Sequence, residues 1–234
     1  MEKGMTKKVE QQKKSSKQSF SDHAYSELKR RILENEISMG NQYMEQEVAE
    51  LLNMSRTPVR EALIKLANEG LVEIRPRHGM RIKPVSLKDM AEICEVLTSL
   101  ESTAAALTAK RNLSETDIER MKQAVVDMDK ALDKDDLDAW AKADERFHKL
   151  LVSLSGNERL AALVDTYYDQ SHRFRMLTLR LRPKPVNSNK DHRETLEAII
   201  RGDADAARQT HRKHREQSGK MMVELLKGHG LNQL

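Results

Sequence analysis

The chain has 234 residues, room for one large domain or two modest ones, with 33% of its residues charged and 3% aromatic. Its single cysteine, Cys94, excludes an internal disulfide framework and any cysteine-rich zinc cluster. No run of about twenty apolar residues spans a bilayer and the polar start is no secretory signal, so a cytoplasmic protein is expected.

Residues 1–20 hold six Lys and two Glu in a Gln/Ser/Lys mixture with almost nothing to bury, which predicts a disordered basic arm. That arm accounts for the whole net charge of +4, because residues 21–85 and 86–234 each balance acidic against basic side chains. Ser21 or Asp22 can then cap a helix that carries Tyr25, Leu28 and Ile32 at helical spacing, with Gly40 closing the unit. A short helix with Val48, Leu51 and Leu52 as its buried face follows. After the turn at Asn53–Arg56, Thr57-Pro58 predicts a helix start, with Thr57 as the cap and Pro58 in the first helical position. That helix runs through Val59, Ala62, Leu63 and Leu66 to Gly70. The period then changes to two in Leu71–Ile74 and Met80–Ile82, two strands joined by Pro76-Arg77-His78-Gly79. Three helices and a hairpin over residues 21–85 predict a winged helix-turn-helix.

From Ser86 onward only the helical period is found, in six stretches near 87–111, 114–133, 135–154, 157–181, 187–202 and 203–227. No repeat of 20–50 residues occurs, so residues 86–234 read as one helical bundle. The expected fold class is therefore mostly α: an N-terminal winged helix-turn-helix and a C-terminal bundle of about six helices.

A helix-turn-helix presents the start of its second helix to base edges in the major groove. Ser55, Arg56, Thr57 and Arg60 lie there, with Arg56 and Arg60 on the face opposite Val59, Leu63 and Leu66. An arginine fork can read guanine or hold phosphate, and the sequence leaves both roles open. Arg75, Arg77 and Arg81 surround His78-Gly79 at the wing, where Gly79 permits a tight turn and close approach to DNA. In the helical half Asp144 and His148 share one face of a helix. His192 and His214 fall on two further helices, and His211, one turn before His214, could take its place. Such N and O donors suit a first-row transition ion, although spacing across unpacked helices decides nothing. Arg175 and Tyr168, beside Tyr167 and Arg173, are candidate polar groups of a pocket. Trp140, Phe147 and Phe174 read as core.

The stretch Leu51-Leu52-Asn53-Met54-Ser55-Arg56-Thr57-Pro58-Val59-Arg60-Glu61-Ala62-Leu63, followed by Leu66, Glu69-Gly70-Leu71-Val72 and Gly79, resembles the signature of GntR-family bacterial transcription regulators. The resemblance implies operator contacts by Arg56, Thr57, Arg60, His78 and Gly79. Gln46 stands where fatty-acid-responsive members carry an operator-reading arginine, so their operator does not transfer. Asp144-x-x-x-His148, Ser155-Gly156-Asn157, Asp191-His192, Leu196, Ala198-Ile199, Gly202-Asp203-Ala204 and His214 resemble the FCD ligand-binding domain, in its six-helix VanR-type form. The resemblance implies a divalent ion on Asp144, His148, His192 and His214 at the floor of an effector pocket, zinc first, with nickel or manganese as alternatives. Many FCD domains place an effector-pairing arginine where this chain has Leu97, so a carboxylate effector would need the metal or another cation.

These readings converge on a ligand-responsive regulator that binds a palindromic double-stranded operator as a homodimer, with a small-molecule effector and no membrane partner. Two alternatives stand beside it: a metalloenzyme with an accessory DNA-binding domain, and a regulator for which the metal itself is the signal.

Overall fold

The computed structural model describes residues 20–37, 41–76 and 78–230. The expected arm, Gly40 and Arg77 of the wing lie outside these residues, except that residue 20 already belongs to a helix. Two compact units divide at Pro84 and Val85.

The first unit opens with α1, residues 20–33, whose Ala24, Leu28 and Ile32 are fully buried. It ends well before Gly40, in a turn where Asn35 takes a left-handed φ of 59°. β1 (Gln42–Tyr43) precedes α2 (Glu45–Leu51), which buries Val48 and Ala49 and leaves Leu51 46% exposed. Val48 and Leu52 turn inward as expected, and small Ala49 takes the place of Leu51. α3 (Arg56–Asn68) is preceded by Ser55 as cap, two residues ahead of Thr57. Pro58 therefore falls in the third helical position, still inside the first turn, where an N–H has no partner four residues back. Val59, Ala62, Leu63 and Leu66 form the buried stripe of α3, against α1, α2 and the sheet.

The wing has three strands. β2 (Val72–Arg75) and β3 (Gly79–Ile82) pair antiparallel, Val72 opposite Ile82 and Arg75 opposite Gly79. β1 adds to the far edge of β3, Tyr43 opposite Met80, giving the order β1-β3-β2. Two residues carry no period, so β1 has no sequence signature. Its presence explains Gly79: the glycine has φ +74°, and a Cβ there would lie 2.1 Å from the Tyr43 carbonyl oxygen. The close approach that requires glycine is to the protein's own backbone.

The second unit holds α4 (Leu87–Ala109), α5 (Glu115–Asp133), α6 (Leu137–Leu154), α7 (Glu158–Leu179), α8 (Val186–Ile200) and α9 (Ala204–Gly228). Side chains of Ser86, Ser114, Asp136, Asn157 and Asp203 accept hydrogen bonds from backbone N–H groups that the first turns of five of these helices leave free. α9 packs along α4, and α5 along α6. Phe147, Trp140 and Met121 anchor one apolar cluster, and Leu97, Met90 and Phe174 anchor another. None of the described helices is long and apolar enough to cross a membrane.

Candidate functional site

In the first unit the polar edge of α3 faces outward. The Arg56 and Arg60 side chains are 65% and 70% exposed, while Val59, Leu63 and Leu66 beneath them are buried. Ser55, Arg56 and Thr57 begin the helix together, where its free N–H groups favour an anion. At the wing, His78 is exposed and its carbonyl accepts a hydrogen bond from Gln42 Nε2, which ties the hairpin tip to β1. Glu45, at the start of α2, adds a feature the sequence reading missed. Its two carboxylate oxygens lie 3.4 Å from Arg56 Nη2 and 3.7 Å from Arg60 Nε, so one carboxylate holds both arginines. The Gln46 side chain, next to it, donates to Glu50 Oε1.

In the second unit α6 carries Asp144 and His148, α8 carries His192, and α9 carries His211 and His214. Packing brings one ring nitrogen from each of His148, His192 and His214 within 4.8 Å of the others. Nε2 of His148 and Nε2 of His192 are 3.2 Å apart, and Asp144 Oδ1 lies 3.8 Å and 3.5 Å from them. Ligands arranged tetrahedrally about one zinc ion at its usual bond lengths lie about 3.3 Å apart.

Hydrogen-bond partners assign the tautomers. His148 Nδ1 donates to Glu101 Oε2 at 2.6 Å, and His192 Nδ1 donates to the Ser188 carbonyl at 2.6 Å. His214 Nδ1 lies 3.5 Å from Asp191 Oδ2. With the protons on Nδ1, the Nε2 lone pairs of His148 and His192 face each other beside a carboxylate. Two lone pairs at 3.2 Å repel unless a cation stands between them. Burial, aided by the neighbouring imidazoles, holds His192 well below its ordinary pKa, and burial also lowers His214. Neutral imidazoles oriented through their second nitrogen are the form in which histidine binds a metal. The donor set thus fits a divalent transition ion.

His211 does not join this set. Its Nε2 donates to Glu101 Oε2 at 3.0 Å, and burial drives its pKa down to about 3. The sequence had left His211 and His214 interchangeable; both approach the His148 ring, but His211 spends its Nε2 on Glu101 while His214 meets His148 and His192. Glu101, on α4 and fully buried, is the group that sequence reasoning missed. Burial pushes its carboxyl up, but Arg215 at 3.5 Å and His148 hold it well below the usual range. One signal was available: Leu97, Glu101, Ala105 and Thr108 share a buried helical stripe, and a lone carboxylate in such a stripe needs partners.

Asp144, His148 and His214 open into a small cavity with Trp140, Tyr168, Arg175, Arg182 and Arg215 on its walls and about 30 Å3 of free room. That volume admits an ion with about one or two waters. The expected pocket groups Tyr168 and Arg175 are therefore beside the histidines, the guanidinium 4.2 Å from the ring centroid.

Comparison with known proteins places both halves. Residues 20–82 match the family described as bacterial regulatory proteins, gntR family, and residues 92–217 match the FCD domain. The chain belongs to the FCD-bearing gntR family of bacterial regulators. Among relatives of this GntR/FCD protein, a Streptomyces ambofaciens HTH-type transcriptional regulator in an unstable DNA locus is 32% identical over 81% of this chain and 79% of its own. The Escherichia coli HTH-type transcriptional repressor RspR is 26% identical over 84% of this chain and 86% of its own. Among solved structures, the metal-free FCD domain of the regulator TM0439 superposes with a TM-score of 0.51 at 25% identity, covering 62% of this chain and 98% of that one. The GntR/FCD protein is thus a DNA-binding transcription regulator, and its relatives are regulators, not enzymes.

Proposed function

We propose that this regulator binds a palindromic operator as a homodimer and that a small-molecule effector, acting beside a divalent ion in the helical unit, changes that binding. The convergence of Asp144, His148, His192 and His214 around one point carries the reading. These four residues hold the ion, zinc in the first place and nickel or manganese as alternatives. Glu101, the Ser188 carbonyl and Asp191 fix the orientation of the three rings from behind. Bound there, the ion supplies an electrophilic position to which an oxygen of the effector can bind.

In the first unit Arg56 and Arg60 read or grip the major groove, with Ser55 and Thr57 on phosphate and His78, Gly79 and Arg77 at the wing. The protein acts in the cytoplasm as a repressor, as RspR's name states for that relative. Effector-anchoring and metal-sensing versions of the mechanism separate in one experiment. His148→Ala and His214→Ala are assayed for metal content, for binding to DNA upstream of the protein's own gene, and for the effector's influence on that binding. Loss of metal with loss of effector response supports the anchoring role, whereas loss of metal with unchanged operator affinity and response refutes any regulatory role for the site. Failure of the native protein to bind that DNA in a salt-sensitive, sequence-preferring manner would sink the operator reading.

A further inference from the structure

Arginines of the α3 edge and of the wing come in pairs, and each pair shares one glutamate. Arg56 and Arg60 stand one helical turn apart, where two cations repel. Glu45, the first residue of α2, answers both, with Oε2 3.4 Å from Arg56 Nη2 and Oε1 3.7 Å from Arg60 Nε. In the wing Glu73 lies opposite Arg81 in the β2–β3 register and two residues before Arg75, so the three side chains share one face of the sheet. Its carboxylate is 3.2 Å from Arg75 Nε and 3.1 Å from Arg81 Nη2. The other acids of α2 are engaged elsewhere: Glu47 accepts from the Met44 N–H and Glu50 from the Gln46 side chain. Residues 21–85 carry no net charge, so bulk attraction to a polyanion does little for this unit.

A shared carboxylate does not treat the two kinds of DNA acceptor alike. Phosphate is an anion: it must expel the carboxylate from the arginines or bind against its repulsion. A guanine edge is neutral and accepts from the outer corner of a guanidinium without displacing the acid behind it. The contact at Arg60 Nε leaves both terminal nitrogens for such a fork. Building on the operator reading above, we infer that Glu45 and Glu73 are specificity-determining residues of this regulator. Each weakens the hold of its two arginines on phosphate, and so on DNA of any sequence, while leaving their contact with a base edge in place. Both are positioning residues, and neither has to touch DNA. Binding to non-specific DNA rests almost wholly on phosphate contacts, so it is the binding that these carboxylates suppress.

The test uses the full-length protein, a duplex that the native protein enriches from a random pool, and a scrambled duplex of the same length and composition. Anisotropy titrations over a series of salt concentrations give both affinities. In Glu45→Gln and in Glu73→Gln the scrambled duplex should bind about three- to fivefold tighter while the enriched one changes by less than about twofold, so the ratio falls. The slope of log K against log salt on scrambled DNA should steepen by up to about one. Glu45→Asp, which keeps the charge, should retain part of the native ratio. Glu50→Gln removes the same charge from α2 without an arginine partner and should leave the ratio near native, and all four variants should melt at the native temperature. An unchanged ratio in both Glu45→Gln and Glu73→Gln, or a Glu50→Gln effect as large as that of Glu45→Gln, overturns the inference. Loss of binding to the enriched duplex in Glu45→Gln, with scrambled binding unchanged, also overturns it, because Glu45 would then read a base itself. If the native protein enriches no sequence, the operator reading and the inference fall together, whereas an enriched operator whose preference survives both variants overturns the inference alone.

Discussion

Two glutamates, one in each unit, do the same chemical work in opposite environments. Glu45, 24% exposed, holds the exposed Arg56 and Arg60 at 3.4 Å and 3.7 Å. Glu101 holds His148, His211 and Arg215 at 2.6 Å, 3.0 Å and 3.5 Å with no exposure at all. The two arginines, 65% and 70% exposed, are open to water and salt, so the half-buried carboxylate holds them weakly and another anion can replace it. The buried one has no substitute, so the groups it orients are fixed. A residue that must exchange partners sits where pairing is weak, and a residue that must keep geometry sits where pairing cannot be replaced.

That contrast breaks or sharpens under mutation. Glu101→Ala leaves Arg215 buried without its counter-charge and frees the His148 ring. It should destabilise the helical unit by about 3–5 kcal/mol and weaken metal binding about 10–100-fold. A denaturant midpoint near native in the presence of zinc would show that Glu101 is dispensable. Removal of the metal ranks next: with ion at about a thousand times its dissociation constant, a chelator should cost the helical unit about 4 kcal/mol. A thermal-unfolding trace with and without chelator checks this, and His192→Ala should abolish the difference.

Arg60→Ala should cost about 1–3 kcal/mol of operator affinity and relax the preference at one base position if the guanidinium reads guanine. A uniform loss over all sequences, with a reduced salt slope, would assign Arg60 to phosphate instead. Glu45→Gln should have the smallest effect, below about 1 kcal/mol on folding, because both of its arginines are exposed. Its signature lies elsewhere: non-specific DNA binding rises while operator preference narrows. If Glu45→Gln proves as damaging as Glu101→Ala, the distinction between the two carboxylates fails.

Much of this architecture was legible beforehand. The six helices of the second unit start and stop within a few residues of the expected positions, because Ser114, Asn157 and Asp203 are local signals that act on their own backbone. One inward residue of α2 was misassigned, Leu51 for Ala49, and the start of α3 lies two positions earlier than expected. Ala49 can be buried as readily as a leucine where the neighbouring helix comes close, and Ser55 takes the cap position of α3 with no side-chain hydrogen bond to the helix. β1 was invisible, since a strand of two residues exists only through its partner β3.

The sequence alone determined what depends on neighbours along the chain. The helical period puts Arg56 with Arg60, and Asp144 with His148, on common faces wherever those helices go. Residue chemistry likewise restricted the candidate metal donors to imidazole and carboxylate. Tertiary structure decided what depends on distance across helices: that His214 meets His148 and His192 while His211 turns to Glu101, that one carboxylate on α4 orients two histidines of α6 and α9, and that Arg175 and Arg182 lie over the rings of Tyr168 and Trp140. Helix geometry is set by bonds within four residues. The approach of α4, α6, α8 and α9 is set by the shape of the apolar surface they bury together, which no local spacing encodes.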